Sequence, residues 1–189
     1  MKTVVNCALL LMCLLSTASW ARDYQTIEWP DLMPEEDLQA LLNRPEWIDE
    51  VPEGGDIDTM PPTGEGFAGL PEDDPYNQAL KSAKTIPEFD NKDVRIPGFV
   101  VPLVFDDEQR ITEFLLVPFF GACIHLPPPP PNQVIYATYE QGIVLDALYD
   151  PFWVSGKLTI ELIETDLSQA AYQITVDDME IYSDGAVGG

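Results

Sequence analysis

The second half of the chain alternates short apolar runs with polar turns. The runs are rich in β-branched and aromatic side chains and are separated by turn-forming residues, which is typical of β-strands. They predict five strands, over residues 94–105, 111–120, 133–139, 153–163 and 171–182. Within the fourth run, polar side chains at 157, 159 and 161 alternate with apolar ones, which indicates a strand with one face in water.

Five short strands at this spacing predict a mainly β fold. We expect a small five-stranded antiparallel barrel that resembles an oligonucleotide/oligosaccharide-binding barrel, with a β-sandwich as the alternative. The β domain should span residues 94–183, followed by a tail over residues 184–189.

Residues 22–93 have a different character and hold 19 of the 33 acidic residues of the chain. They predict an irregular, acidic arm, rich in proline and glycine, with an extended loop over residues 52–75. One short helix is expected over about residues 34–43. A proline near its start and acids in its first turn favour that helix, and Leu38, Leu41 and Leu42 form its apolar positions.

The N-terminus has the order of a secretory signal. A lysine at position 2 precedes an apolar run over residues 4–15, and small and polar residues lead to Ala21. The run is about a dozen residues long, whereas a membrane-spanning helix needs roughly 20. We therefore expect a signal peptide over residues 1–21, cleavage near Ala21, a periplasmic or secreted product, and no transmembrane segment in the mature chain.

Charge limits the classes of partner. The chain has 33 acidic and 9 basic residues, a formal net charge of −24. Nucleic acid is therefore excluded as a partner, and the charge argues against docking on anionic lipid surfaces, since both require a basic face. Cations or a basic partner are electrostatically favoured, and solubility in a salty medium is the alternative explanation for the acidity.

One segment concentrates the soft metal ligands. Cys7 and Cys13 lie in the predicted signal, so Cys123 is the single cysteine of the predicted mature chain, and His125 is the single histidine of the whole chain. In an extended segment, side chains two residues apart share a face, and thiolate and imidazole are good ligands for zinc or copper. The alternative is that Cys123 is a small core residue and His125 a hydrogen-bonded one.

A run of five prolines follows this pair. Prolines cannot donate to a sheet, so the run predicts a polyproline II rod that crosses a barrel rim or edge. We expect Cys123 and His125 to lie side by side and to face a shallow pocket bordered by this rod and by Arg95 or its strand. The expected partner or pocket residues are Arg95, Pro127, Pro128, Pro129, Pro130, Pro131, Asn132 and Gln133.

The runs VRIPGFVVPL, FLLVPFFGACIHLPPPPPNQ and ALYDPFWVSGKLTIE resemble a bacterial family of exported proteins known as domain of unknown function 3299. The resemblance covers about residues 86–182, and the WPDLMP segment is similar to the opening of the family. The matching positions are Arg95, Gly98, Cys123, His125, Asn132 and Gln133. The family has no established activity. Its genes often lie near those for periplasmic metal handling and ABC transporters, so the resemblance implies an envelope role linked to zinc. Many members are lipoproteins, and the signal here departs from that pattern.

These observations predict an exported envelope protein and indicate no enzyme class. The first functional hypothesis is binding of zinc or copper through Cys123 and His125, in a metal-handling or ABC-transporter-linked system. The alternative is a metal-free accessory protein of an envelope complex, which would dock on an envelope protein or transporter component through residues 127–131. Thiol chemistry at Cys123 is a third hypothesis.

Overall fold

A computed structural model describes residues 22–44, 72–122, 128–145, 147 and 149–182 of the chain. The predicted signal peptide and tail lie outside these residues, as does most of the loop predicted over residues 52–75. Cys123, His125 and Pro127 lie outside them as well.

The described residues form six strands, two α-helices and three 3₁₀ helices. The strands are β1 (Gln25–Thr26), β2 (Lys92–Phe105), β3 (Ile111–Val117), β4 (Ile135–Ile143), β5 (Pro151–Glu164) and β6 (Gln169–Ile181). The α-helices are α1 (Glu35–Leu42) and α2 (Pro75–Ala79), and the 3₁₀ helices are Trp29–Leu32, Pro87–Phe89 and Pro131–Gln133.

The five long strands close into one barrel, in the order β2-β3-β4-β6-β5, with β5 pairing back onto β2. This confirms the predicted five-stranded barrel over the sandwich. The pairing is mixed rather than fully antiparallel, because β4 and β6 run parallel over Ile135–Thr138 and Tyr172–Thr175. β1 is an extra strand, parallel to β2.

Alternation along the strands places the core inside the barrel. In β2, residues 94, 96, 98 and 100 are buried and the residues between them are half-buried. The interior is filled by large side chains that have no measurable exposure, among them Ile96, Phe114, Leu158 and Tyr172. Such dense packing fixes the register, because a slip by one residue would turn these side chains to the outside.

The acidic arm packs onto the barrel, and Ile27, Trp29 and Leu32 join the main core. Helix α1 lies within the predicted range, and Pro34 precedes its first residue. Helix α2 was missed: the Asp74 carboxylate accepts hydrogen bonds from the backbone N–H of Tyr76 and Asn77, which caps this short helix. Among the described residues, no helix is long and apolar enough to span a membrane.

Candidate binding groove

Side-chain hydrogen bonds attach the arm to the barrel, and three of them involve Trp29 or Leu32. The indole Nε1 of Trp29 donates to the carbonyl oxygen of Pro97 at 2.6 Å. The hydroxyl of Tyr172 donates to the carbonyl oxygen of Leu32 at 2.9 Å. Gln133 Nε2 donates to the carbonyl oxygen of Trp29 at 2.8 Å. These bonds satisfy buried backbone groups, so the arm is held in one position on the barrel.

A second set of polar contacts joins α1 to the residues after α2 and to the end of the proline run. The Ser82 hydroxyl donates to Asp37 Oδ2, and Lys84 Nζ lies 3.3 Å from Asp37 Oδ1. Asn132 Nδ2 donates to the carbonyl oxygen of Lys84 at 3.0 Å. Hydrogen bonds to Glu36 and Asp37 raise the pKa of Lys84. Lys84 is therefore a cation that pairs with the carboxylates of Glu36 and Asp37, and it is unsuited to act as a base.

These contacts leave an apolar groove between α1, α2 and the proline run, with a cavity volume of about 270 Å³. Most of its lining is leucine, proline and aromatic surface. The lining residues are Pro30, Met33, Leu38, Leu41, Arg44, Tyr76, Leu80, Pro118, Phe119, Pro128, Pro129, Pro130 and Gln133.

Two aromatic side chains lie where β3 ends. Phe119, which lines the groove, is 48% exposed, and its neighbour Phe120 is 53% exposed. The ring of Phe120 meets Phe99 edge-to-face, with centroids 6.2 Å apart. An apolar groove that continues onto an exposed aromatic surface is typical of an interaction site.

The structure places the described residues of the predicted pocket in two roles. Pro128, Pro129 and Pro130 line the groove, and Gln133 lines it while bonded to Trp29. Asn132 has no measurable exposure and joins the contacts around Asp37. Cys123, His125 and Pro127 are outside the described residues, so their side-by-side arrangement stays a prediction.

Arg95 takes part in a different arrangement. Its guanidinium group pairs with Glu180 Oε2 at 2.6 Å and lies 4.5 Å from the ring centroid of Trp153. It is not among the residues that line the groove. Arg95 thus links β2 to β5 and β6 through a cation–π contact and an ion pair at the barrel surface.

The part of the chain that the structure describes contains no group of three or more His, Cys, Asp or Glu side chains placed to hold a metal ion. Ion pairs there engage several of the acids. Asp177, for example, lies 2.6 Å from Arg22 Nη1 and accepts a hydrogen bond from Tyr24 at 3.1 Å. The strong negative charge of the chain is therefore not gathered into a metal centre within these residues.

A separate polar cleft opens where β4 and β6 stop pairing, after Thr138 and Thr175. It has a volume of about 390 Å³, and Glu113, Glu140 and Asp177 are among its lining residues. Behind it, the Tyr136 hydroxyl donates to Glu113. Burial, and then the bond to Glu113, raise the pKa of Tyr136 to about 12.

We expect stability to fall between pH 10 and pH 12 in part through Tyr136. Its folded-state pKa of about 12 exceeds the ordinary value of 10.0, so the folded state favours the neutral hydroxyl. That contribution is complete below pH 10 and is lost as the pH rises through 12. Glu113→Gln removes the nearby charge, so absorbance titration should show Tyr136 ionising at lower pH, with burial keeping its pKa above 10.

The matched control for this titration is Glu140→Gln, which alters a carboxylate of the same cleft. Subtracting the titration curve of Tyr136→Phe in each background identifies the absorbance change of this one hydroxyl. An unchanged Tyr136 transition in Glu113→Gln, or an equal shift in Glu140→Gln, would contradict the assignment of the bond.

Sequence reasoning missed the groove as a whole. It identified the proline run and the apolar positions Leu38 and Leu41, but it did not bring them together. The signal was present in α1, where these leucines recur at helical spacing in an arm that offers little core to cover them. Tyr76, Leu80 and Phe119 come from separate segments, and only the folded chain unites them.

The fold and the groove define a class: a small mixed β-barrel with an acidic arm packed on its side and an apolar groove between them. The chain belongs to the family described as Protein of unknown function (DUF3299), whose model matches residues 29–181.

The chain is similar to a solved structure, the crystal structure of a DUF3299 family protein from Pseudomonas aeruginosa PAO1. The two are 30% identical with a TM-score of 0.59, and the match covers 86% of this chain and 98% of that chain. None of the curated proteins compared with the chain matches it.

Proposed function

We propose that this protein is an exported envelope protein that acts by binding a partner through the apolar groove. The observation that carries the proposal is the groove itself, which joins α1, α2 and the proline run and continues onto exposed Phe119. Side-chain hydrogen bonds support its walls from behind, so the surface is largely pre-formed. An envelope protein or a transporter component is the partner we propose, in line with the family resemblance.

The export part of the proposal rests on the N-terminal sequence. Cleavage after Ala21 would leave Arg22 as the first residue and would keep every described contact, including the ion pair from Arg22 to Asp177. The intact mass of the protein from the periplasmic fraction should correspond to a chain that begins at Arg22. Accumulation of the uncleaved chain in the cytoplasm would contradict export.

Affinity capture from envelope extracts tests the groove. Leu41→Gln puts a polar side chain into the groove on a helix that glutamine supports as well as leucine does. We expect it to reduce capture of the partner by about tenfold, which corresponds to roughly 1.4 kcal/mol of binding free energy.

The matched control is Leu162→Gln on β5, where the leucine is 61% exposed and lies outside the groove lining. Its capture should equal that of the natural protein. Equal capture by the natural protein and both variants, with unchanged stability, would show that the partner binds elsewhere.

Metal binding is a second candidate. The segment that carries Cys123 and His125 joins Ala122, which has no measurable exposure, to the groove-lining Pro128–Pro130. A thiolate and an imidazole would supply two of the four positions that zinc normally fills, and water or a partner would have to supply the others. Binding of zinc or copper beside the groove would then place the protein in a metal-handling system.

Equilibrium dialysis with zinc or copper(I) tests this second candidate. We expect one ion to be retained by the natural chain and lost in the Cys123→Ser, His125→Ala double variant. His125→Ala alone should weaken the binding of the metal ion. It should leave partner capture unchanged if metal binding and partner binding are separate functions. Equal retention by the natural chain and the double variant would reject the metal site.

A further inference from the structure

We infer that the groove accepts a short basic peptide segment anchored by one large apolar side chain. This inference rests on the proposed function and adds to it the chemistry of the partner. Four features of the described residues carry it: the size of the groove, its proline lining, a second cleft beside it, and the local charge.

The size of the groove fits one large side chain. The groove holds about 270 Å³, whereas pockets for drug-sized ligands and cofactors run from about 300 to 1,000 Å³. A cavity at this end of the scale, with leucine, proline and aromatic walls, suits one large apolar side chain. Buried anchors of this kind dominate the energetics of protein interfaces.

The proline lining excludes one mode of peptide recognition. Prolines at positions 30, 118, 128, 129 and 130 lack a backbone N–H, so a partner strand cannot complete a hydrogen-bonded ladder along this wall. This favours recognition by insertion of a side chain over strand addition. Exposed Phe119 offers a further ring face against which the anchor can pack.

A second cleft adjoins the first, and its acidic lining predicts a basic partner. It has a volume of about 340 Å³, its lining includes Glu36, Gln39, Asn43 and Asp74, and it shares Tyr76 with the apolar groove. Glu36 already pairs with Lys84 and Asp74 already caps α2. Each carboxylate nevertheless offers about four acceptor sites, enough for an added ammonium or guanidinium donor.

The segments that surround both clefts carry a net negative charge. Residues 28–44 and 72–84 hold eight acidic and three basic residues, a net charge of −5. This field attracts a cationic segment and repels acidic peptides and anionic lipid. A ligand that satisfies both clefts carries lysine or arginine beside a leucine, phenylalanine or similar anchor.

The test is selection from a displayed library of random short peptides against the full mature chain. We expect enriched sequences to combine lysine or arginine with one large apolar residue. The strongest clone, made as a labelled synthetic peptide, should lose about tenfold in affinity when its apolar residue becomes serine. It should lose at least as much when its basic residues become glutamate, and its affinity should fall as salt rises.

Matched protein variants locate the site. Phe119→Ser and Glu36→Gln should weaken the peptide, whereas Phe105→Ser and Glu161→Gln should not. Phe105 is 52% exposed, close to the 48% of Phe119, and Glu161 is an exposed acid on β5. Binding that is insensitive to all four variants, or enrichment of acidic or purely polar peptides, would overturn the inference.

Two other occupants are also distinguished. If the protein forms a dimer that Phe119→Ser dissociates, the groove is occupied by a second copy of the chain. If deletion of residues 45–71 raises peptide affinity more than tenfold, the groove is occupied by that segment. Either result overturns the inference. If no basic peptide is enriched but a partner is still captured in a Leu41-dependent manner, the peptide class is wrong and the proposed function stands.

Discussion

Gly156→Ala should destabilise the barrel by about 3 kcal/mol or more, one of the largest effects available from a single methyl group in this chain. A Cβ at this position would lie 2.3 Å from the carbonyl oxygen of Thr175 and 3.0 Å from Cα of Val176. Both atoms belong to the backbone of β6, and Gly156 also pairs with Val94 of β2. Because strands on both sides hold β5, the clash cannot be relieved by a side-chain rotation.

Urea unfolding of Gly156→Ala, followed by fluorescence, measures this effect as a lower midpoint. Ser155→Ala is the control, because it changes the preceding residue of β5, also buried, without adding an atom. Its free energy of unfolding should stay within about 1 kcal/mol of the natural value. A Gly156→Ala midpoint equal to that of the control would show that β5 and β6 are further apart than the structure places them.

Tyr172→Phe should cost about 2–4 kcal/mol and should loosen the arm. The hydroxyl donates to the carbonyl oxygen of Leu32 at 2.9 Å and accepts from the N–H of Ile86 at 2.6 Å. Phenylalanine would leave both backbone groups without this partner, in a region where water cannot easily replace it. Since Leu32 directly precedes the groove-lining Met33, partner binding should weaken as well.

Two measurements separate these consequences. Urea unfolding gives the loss of stability, and limited proteolysis at native conditions reports whether the arm is released before the barrel unfolds. Tyr139→Phe is the control, a half-buried tyrosine on β4 whose loss of a hydroxyl should have little effect. Equal protease resistance of Tyr172→Phe and the control would mean that this hydroxyl does not hold the arm.

The strands could be predicted from the sequence because the alternation of apolar and polar side chains reflects which face of each strand is buried. All five predicted ranges overlap β2 to β6, and the observed β2 begins only two residues before the expected start of the β domain. Alternation is a local property, so each strand can be recognised alone. The same reasoning located α1, whose proline and first-turn acids mark its start.

Strand direction was not accessible in this way. The parallel pairing of β4 with β6 joins residues about 37 positions apart, such as Ile135 and Tyr172, with β5 between them in sequence. Alternation is identical in parallel and antiparallel pairs once one face is exposed. Five short strands therefore favoured the simpler antiparallel arrangement, which the structure corrects.

The groove could not be predicted from the sequence for a related reason. Its walls come from α1, α2, the end of β3 and the proline run, and no single segment contains the pattern. From the sequence, Asn132 and Gln133 were expected to border a pocket or a partner at the end of the proline rod. Their amides instead satisfy backbone carbonyl groups of Lys84 and Trp29, contacts that depend on where the arm folds.

Site-specific photo-crosslinking in intact cells tests most directly whether the groove is the binding surface. A photoreactive phenylalanine analogue would replace Phe119 in one variant and Phe105 in the other, two phenylalanines with nearly equal exposure. The proposed function predicts one discrete crosslinked partner at position 119 and none at position 105. No crosslink at position 119, or the same product at both positions, would contradict it.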